Sequence, residues 1–303
     1  MATAITAEMV KKLRDQTGAG MMECKNALTE AGGNSDEATT ILRKRGLATA
    51  AKKAGRTTRE GLIGNRLSAD HSSGILVEVN CESDFVARTP TFHELVQDVL
   101  TEIDKASDAA SAAWLKDPAG PVAKLVAAKI AQLGENIAVS RFVRYSGDRY
   151  IGQYIHSTEP GSTTGPPLGG KIGVMVEFDG VTPAVSGRDE FTSLVKEIAM
   201  QVAWSSPSYT DREAIPSDVL EKERAIYRAQ MEGAGKPASV IEKIVEGKLG
   251  SFYQQTPGGV LVDQPSIRDP KVAVRDLIAQ ANKTLGGQLS VARFARLKVG
   301  EAG

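Results

Sequence analysis

The densest group of chemically capable side chains in this 303-residue chain lies in the segment CESDFVAR, residues 81–88. Two carboxylates, Glu82 and Asp84, stand next to the aromatic Phe85, between an alternating apolar pattern and the start of a predicted helix. Paired carboxylates can act as general acid and base, but two residues on one loop define no substrate geometry. The spacing alone favours a structural role, in which Asp84 caps the helix and Phe85 joins the core. A functional role for the loop stays open at this point.

Side chains that hold phosphates or metals in other proteins lack the required spacing here. Lys236 is followed by Pro237, where a phosphate-binding loop needs Ser or Thr to hold magnesium. His71, His93 and His156 lie far apart in the sequence and form no HxxxH or HExxH pattern. We therefore expect no bound nucleotide, no metal ion and no cofactor, and we expect that the chain is not an enzyme.

The composition is typical of a globular protein in water. Hydrophobic residues make up 41% and charged residues 24%, which argues against a disordered chain and against a membrane-embedded one. Lys plus Arg and Asp plus Glu both number 37, so there is no overall charge to attract nucleic acid. The N-terminus lacks a signal-peptide pattern, and Cys24 and Cys81 are too few for a disulfide framework. We expect a cytoplasmic protein without a membrane segment, in which Cys24 belongs to the core.

Residues 6–46 predict three short helices, the last of which ends at Gly46. None of them is long enough to be stable alone, so we expect them to pack as a bundle. Met21 and Met22 follow the sequence TGAG, and adjacent helical residues cannot both face one core, so we expect one of them to be exposed. Residues 43–59 carry seven basic residues and no acidic one. We interpret this stretch as a linker, with contact to RNA as the alternative.

The remainder of the chain alternates between strand and helix patterns. Residues 62–68 and 74–82 predict a β-hairpin with a half-buried second strand, and Pro90 begins the clearest amphipathic helix. A second unit is predicted to open with a strand at 137–145, and the Gly- and Pro-rich residues 157–170 predict a mobile loop. We expect an α+β fold with four parts: a helical bundle and basic linker at 1–55, a first core subdomain at 56–147, a second core subdomain at 148–210 and 255–303, and a helical-hairpin insertion at 211–254.

Five blocks of the sequence together resemble the bacterial translation elongation factor Ts family. They follow the family's order and cover almost the whole chain: MVKKLRDQTGAGMMECKNAL (9–28), VNCESDFVA (79–87), LGENI (133–137), KIGVMV (171–176) and EGKLGSFY (246–253). The first two blocks are highly specific, and the later ones add order and spacing. The resemblance implies a ubiquitin-associated-like N-terminal three-helix bundle, two related core subdomains and a coiled-coil insertion.

The resemblance also implies a function, which is guanine nucleotide exchange on the GTPase elongation factor Tu. In the family, a loop that matches Ser83, Asp84, Phe85 and Val86 enters beside the magnesium site of that partner. Position 83 is Ser where family members more often have Thr, a change that keeps the hydroxyl group. An RNA-binding protein that uses residues 43–59 is the alternative function.

The family further implies where the partner is held. Residues that match Arg14, Met21 and Met22 help the N-terminal domain to grip the GTPase domain, and His156 matches another partner contact. The resemblance leaves open a homodimer or a heterotetramer with the partner.

Overall fold

The computed structural model of the chain describes residues 4–106, 112–115, 117–157, 169–232 and 235–301. Helices and antiparallel strands are both abundant, so the expected α+β class is confirmed. The helices are α1 (Ala7–Thr17), α2 (Met21–Glu30), α3 (Ser35–Lys53), α4 (Asp84–Ala87), α5 (Pro90–Lys105), α6 (Ala112–Leu115), α7 (Pro121–Leu133), α8 (Pro183–Ser186), α9 (Asp189–Ser205), α10 (Ser217–Ala229), α11 (Ala238–Tyr253) and α12 (Val274–Leu285). The strands are β1 (Glu60–Leu67), β2 (Ser73–Cys81), β3 (Ile137–Ser146), β4 (Tyr150–His156), β5 (Ile172–Asp179) and β6 (Ser290–Lys298).

Helices α1, α2 and α3 pack around a small apolar core that includes Leu13, Cys24 and Leu28. Local signals set the ends of α1. The Thr6 side chain accepts a hydrogen bond from the first turn, and Gly18 ends the helix with a positive φ of 66°. The core position expected for Cys24 is confirmed, because this residue is fully buried.

Helix α3 continues beyond Gly46, where the sequence predicted its end, and reaches Lys53. Gly46 is buried because α3 crosses α7 at this point. A Cβ atom at Gly46 would lie 3.5 Å from the carbonyl oxygen of Ala127 and 3.8 Å from the Cβ of Ala131. Gly46 therefore lies inside a helix crossing with room for a small side chain, and it is not a helix stop. Residues 43–53 of the basic stretch belong to α3, so the predicted linker is shorter than expected and comprises residues 54–59, which connect α3 to β1.

Two three-stranded antiparallel sheets lie face to face, in the orders β1-β2-β3 and β4-β5-β6. The predicted hairpin of β1 and β2 is confirmed, with Leu62 opposite Val79. Strand β3 pairs with β2, so residues 137–145 do not open the second unit; they complete the first sheet, inside the 56–147 range predicted for the first core subdomain. Its alternating pattern indicates a strand, but pairing with a distant segment decides to which sheet the strand belongs.

Strand β2 is buried on both faces, whereas the sequence predicts a half-buried strand. Val77 and Val79 face the helices on the outer side of the first sheet. Leu76 faces the second sheet, where it joins an inner cluster with Met175 of β5. The second sheet therefore covers the face that the alternating pattern assigned to solvent.

Glu78 is a carboxylate on this covered face and is only 2% exposed. Arg141 donates to it at 2.8 Å, and the backbone N–H of Gly300 donates to it at 2.8 Å. Buried charges need such partners, so Glu78 joins the first sheet to the C-terminal end of β6.

Helices cover the outer face of each sheet: α5 and α7 on the first, α9 and α12 on the second. Helices α10 and α11 form an antiparallel pair. Arg228 donates to both oxygens of Glu242, at 2.8 and 3.0 Å, and Arg224 lies 3.2 Å from Glu246. Helix α10 buries none of its residues, in keeping with the narrow apolar stripe of its sequence.

Part of the chain cannot be compared with the sequence predictions. The Gly- and Pro-rich loop predicted at 157–170 lies outside the described residues except at its two ends. Among the residues that are described, no helix combines the length and the apolar character needed to cross a bilayer.

Candidate functional site

The segment with the most reactive side chains forms a sharp connection between strand β2 and helix α4. Ser83 caps α4, because its Oγ accepts a hydrogen bond from the backbone N–H of Val86 at 3.4 Å. Asp84 lies in the first turn of α4 and forms an ion pair with Arg88, 3.2 Å away. The prediction that Asp84 caps the helix is therefore wrong. The cap is one residue earlier, and Asp84 is 44% exposed.

Phe85 projects from α4 into solvent with 79% of its surface exposed. The prediction of a core Phe is wrong, because the inward face of this turn is formed by Ala87, which is buried, and by Val86, which packs against the core of the first sheet. An exposed aromatic ring beside an exposed carboxylate is the most unusual surface feature of this loop.

A carboxylate from another part of the chain holds the loop from behind. Glu135 accepts hydrogen bonds from the backbone N–H groups of Glu82 and Ser83, at 3.1 and 3.0 Å, and from the Ser83 hydroxyl at 2.5 Å. Sequence reasoning offered no chemical ground for selecting Glu135, although it belongs to the LGENI block. Three donors on one carboxylate leave the loop backbone with little freedom.

Glu82, on the loop, binds in turn to the chain segment that carries Glu135. Its carboxylate accepts from the backbone N–H of Asn136 at 2.6 Å, and Arg56 lies 3.4 Å away. The hydrogen bond from Asn136, with a smaller contribution from the Arg56 charge, holds the pKa of Glu82 below its usual value. A carboxylate that is ionised and engaged in this way is poorly suited to general acid–base catalysis near neutral pH.

The thiol next to the loop is a poor nucleophile. Burial raises the pKa of Cys81 to about 12, and its thiol donates to the carbonyl oxygen of Ser83 at 3.1 Å. The cavity beside the loop, lined by Asp84, His93 and Lys171 among others, has a volume of about 40 Å³. That volume is far below the roughly 300 to 1,000 Å³ of small-molecule binding sites.

The N-terminal residues suggested by the resemblance lie at the surface. Met21 is 48% exposed and Met22 is 65% exposed. The expectation that one of them is exposed is confirmed, and the second is exposed as well, because α2 begins at Met21 and its buried residues start at Cys24. Arg14 is exposed in the last turn of α1, just before the glycine connection to α2.

His156 is exposed at the end of β4, on the second sheet. Its Nδ1 lies 3.1 Å from the hydroxyl of Tyr154, and both residues line an open groove of about 610 Å³. Trp204, which is 66% exposed, lines the same groove. Sequence reasoning did not select Trp204. The sequence did indicate its exposure, because Trp204 lies outside the apolar stripe of α9, which ends with Val202.

Cations of the 43–59 stretch are engaged within the chain, among them Arg56 through its ion pair with Glu82. Arg45 forms an ion pair with Glu30 at 2.5 Å, and Lys53 donates to the carbonyl oxygen of Gly134. These contacts use charges that RNA would need. Within the described ranges, no three His, Cys, Asp or Glu side chains come together as a metal site would require.

A family model and several known proteins are similar to this chain over most of its length. A family model described as Elongation factor TS matches residues 82–301. The chain is 41% identical to the Elongation factor Ts of Aquifex aeolicus over 99% of both chains. It is 40% identical to that of a Nitratiruptor species over 98% of this chain and 94% of the relative, and 38% identical to that of Clostridium acetobutylicum over 98% and 93%. Because these similarities extend over nearly its whole length, the chain belongs to the elongation factor Ts family of translation elongation factors.

Proposed function

We propose that this protein is a guanine nucleotide exchange factor for elongation factor Tu. It binds the GDP-bound GTPase, disturbs its magnesium site and promotes the release of GDP, so that GTP can bind. The protein itself makes and breaks no covalent bond. The observation that carries the proposal is the ring of Phe85, which is held in solvent next to Asp84 by a loop whose backbone is fixed from behind.

The loop has the groups that such an action requires. Magnesium links the phosphates of a bound nucleotide to its GTPase and accepts little deviation from octahedral oxygen coordination. An aromatic ring pushed towards that site displaces the side chains that support it, and a carboxylate adds negative charge beside the phosphates. Asp84 is available for this role because its ion pair with Arg88 is exposed, and exposed pairs contribute only about 0–1 kcal/mol.

The free energy needed for fast release of the nucleotide is larger than Phe85 alone supplies. A thousandfold acceleration of release requires about 4 kcal/mol. Burial of a Phe side chain supplies roughly 1.5 to 3 kcal/mol, so further contacts must contribute. Arg14, Met21 and Met22 on the N-terminal helices and His156 on the second sheet are the residues we assign to this binding. The flexible, polarisable Met side chains suit an adaptable protein contact.

Thermodynamic linkage makes the action reversible. Whatever allows this protein to weaken nucleotide binding makes the nucleotide weaken the binding of this protein by the same factor. Abundant GTP therefore ejects the factor after each exchange, and the factor acts again on another GDP complex.

Stopped-flow release of a fluorescent GDP from elongation factor Tu of the same organism tests the proposal. We expect strong acceleration by the wild-type protein. Most of it should be lost in the double variant Asp84→Ala, Phe85→Ala while binding persists. Ile226→Ala removes an exposed apolar side chain on α10, away from the loop, and serves as the matched control. Binding without acceleration would contradict exchange and indicate a chaperone-like partner, and a failure to bind would refute the proposal altogether.

A further inference from the structure

Glu135 lies opposite the loop at residues 82–86, here called the exchange loop, because of the strand register. In the antiparallel pair of β2 and β3, Cys81 pairs with Ile137. Ser83 lies two residues after the end of β2, and Glu135 lies two residues before the start of β3. Their side chains therefore face each other across the end of the sheet. Gly134, with a positive φ of 77°, ends α7 and turns the chain directly into this position.

The Ser83 hydroxyl transmits the effect of Glu135 to helix α4. Its single proton is donated to Glu135 at 2.5 Å, which leaves its lone pairs to accept from the N–H of Val86 at 3.4 Å. A hydroxyl without this acceptor would be free to rotate and to cap the helix poorly. The arrangement also explains why either Ser or Thr suits position 83.

Helix α4 needs such support because it has a single turn of four residues. A helix of this length has no stability of its own in water. The exposed ring of Phe85 also tends to leave this orientation, since packing onto the nearest apolar surface would remove it from water. The fixed backbone of residues 82 and 83 opposes that collapse, and the charged acceptor makes these hydrogen bonds stronger than neutral ones.

We propose that Glu135 is a positioning residue for nucleotide exchange: through the hydroxyl of Ser83 it holds α4 in the orientation that presents Asp84 and Phe85 to the partner. The inference rests on the proposed exchange function. Glu135 acts from behind the loop and through Ser83, so its effect is on the rate of exchange within the complex rather than on the affinity of the complex.

The test measures GDP release from elongation factor Tu as a function of the concentration of this protein, for the wild type and for Glu135→Gln. The variant keeps the size of the side chain and loses its charge. We expect the maximal rate of release to fall roughly tenfold, the factor that corresponds to one hydrogen bond to a charged group. The half-saturating concentration should stay unchanged, because the other binding surfaces are intact.

Three further variants separate positioning from general damage. Ser83→Ala removes the hydroxyl but leaves the two backbone hydrogen bonds to Glu135, so combining it with Glu135→Gln should cost less than the sum of the two single changes. Ser83→Thr keeps the hydroxyl and should lose less of the maximal rate than Ser83→Ala does. Glu94→Gln removes a carboxylate that contacts α7 through Lys129, 3.2 Å away, and should behave as wild type.

A readout without the partner keeps the inference separable from the exchange function. With 4-fluorophenylalanine at position 85, the fluorine NMR line of the free protein should shift or broaden in Glu135→Gln and in Ser83→Ala, but not in Glu94→Gln. An unchanged fluorine line would overturn the inference, as would an unchanged maximal rate or a higher half-saturating concentration at a constant maximal rate. If the wild-type protein did not accelerate release, the exchange function would fail, and the fluorine line would still decide whether Glu135 orients the loop.

Discussion

Replacement of Phe85 by Ala should slow nucleotide release without weakening the fold. The side chain is 79% exposed in the free protein, so that fraction of its surface is available for burial against the partner. Applied to roughly 1.5 to 3 kcal/mol for a fully buried Phe, this fraction gives about 1.2 to 2.4 kcal/mol. If that energy acts in the transition state for release, the variant should be roughly 8- to 60-fold slower.

The assay is stopped-flow release of fluorescent GDP at saturating factor, accompanied by urea unfolding of the free variant. The free energy of unfolding should change by less than about 0.5 kcal/mol, since little of the ring is buried in the free protein. A loss of several kcal/mol in stability would show that Phe85 belongs to the core after all. Release at the wild-type rate would show that the ring does not enter the partner.

Two further predictions concern the rest of the molecule. At Gly46, a methyl group fits against Ala127, so Gly46→Ala should raise the free energy of unfolding by about 0.5 to 1 kcal/mol. The larger side chain of Gly46→Leu should lower it by about 1 to 3 kcal/mol. Equal effects of the two changes in urea unfolding would contradict the close crossing of α3 and α7. The pKa of Cys81 is raised to about 12, so its thiol stays protonated at pH 8. Iodoacetamide should therefore alkylate Cys81 in urea but not in the native protein, and mass spectrometry measures the difference. Fast alkylation of native Cys81 would show that the residue is not buried as described.

The loop at residues 83–86 illustrates which features of the site could be predicted from the sequence. The resemblance selected Ser83 to Val86, and the apolar pattern placed a strand before them and a helix after them. Spacing nevertheless favoured a buried Phe85, because an aromatic residue near a strand end is more often core than surface. Its exposure depends on Val86 and Ala87 forming the inward face and on Glu135 holding the backbone. Neither contact is visible from local periodicity, since Glu135 lies more than fifty residues away in the chain.

Short-range signals were sufficient where local chemistry decides the structure. The apolar residues of α5 from Phe92 to Ile103 were predicted as one face, and they are buried. The hairpin of β1 and β2 also followed from alternation and a polar turn. Helix periodicity, caps and tight turns depend on residues within a few positions of each other, so the sequence by itself determined these elements and, through its five blocks, the family.

Tertiary structure decided which faces are covered and where segments end. Helix α3 runs through Gly46 because α7 packs there, β2 is buried on both faces because a second sheet lies against it, and β3 completes the first sheet because it pairs with β2. Each of these outcomes depends on surfaces brought together from distant parts of the chain. The geometry that presents Phe85 belongs to the same class, since the register of β2 and β3 sets Glu135 behind Ser83.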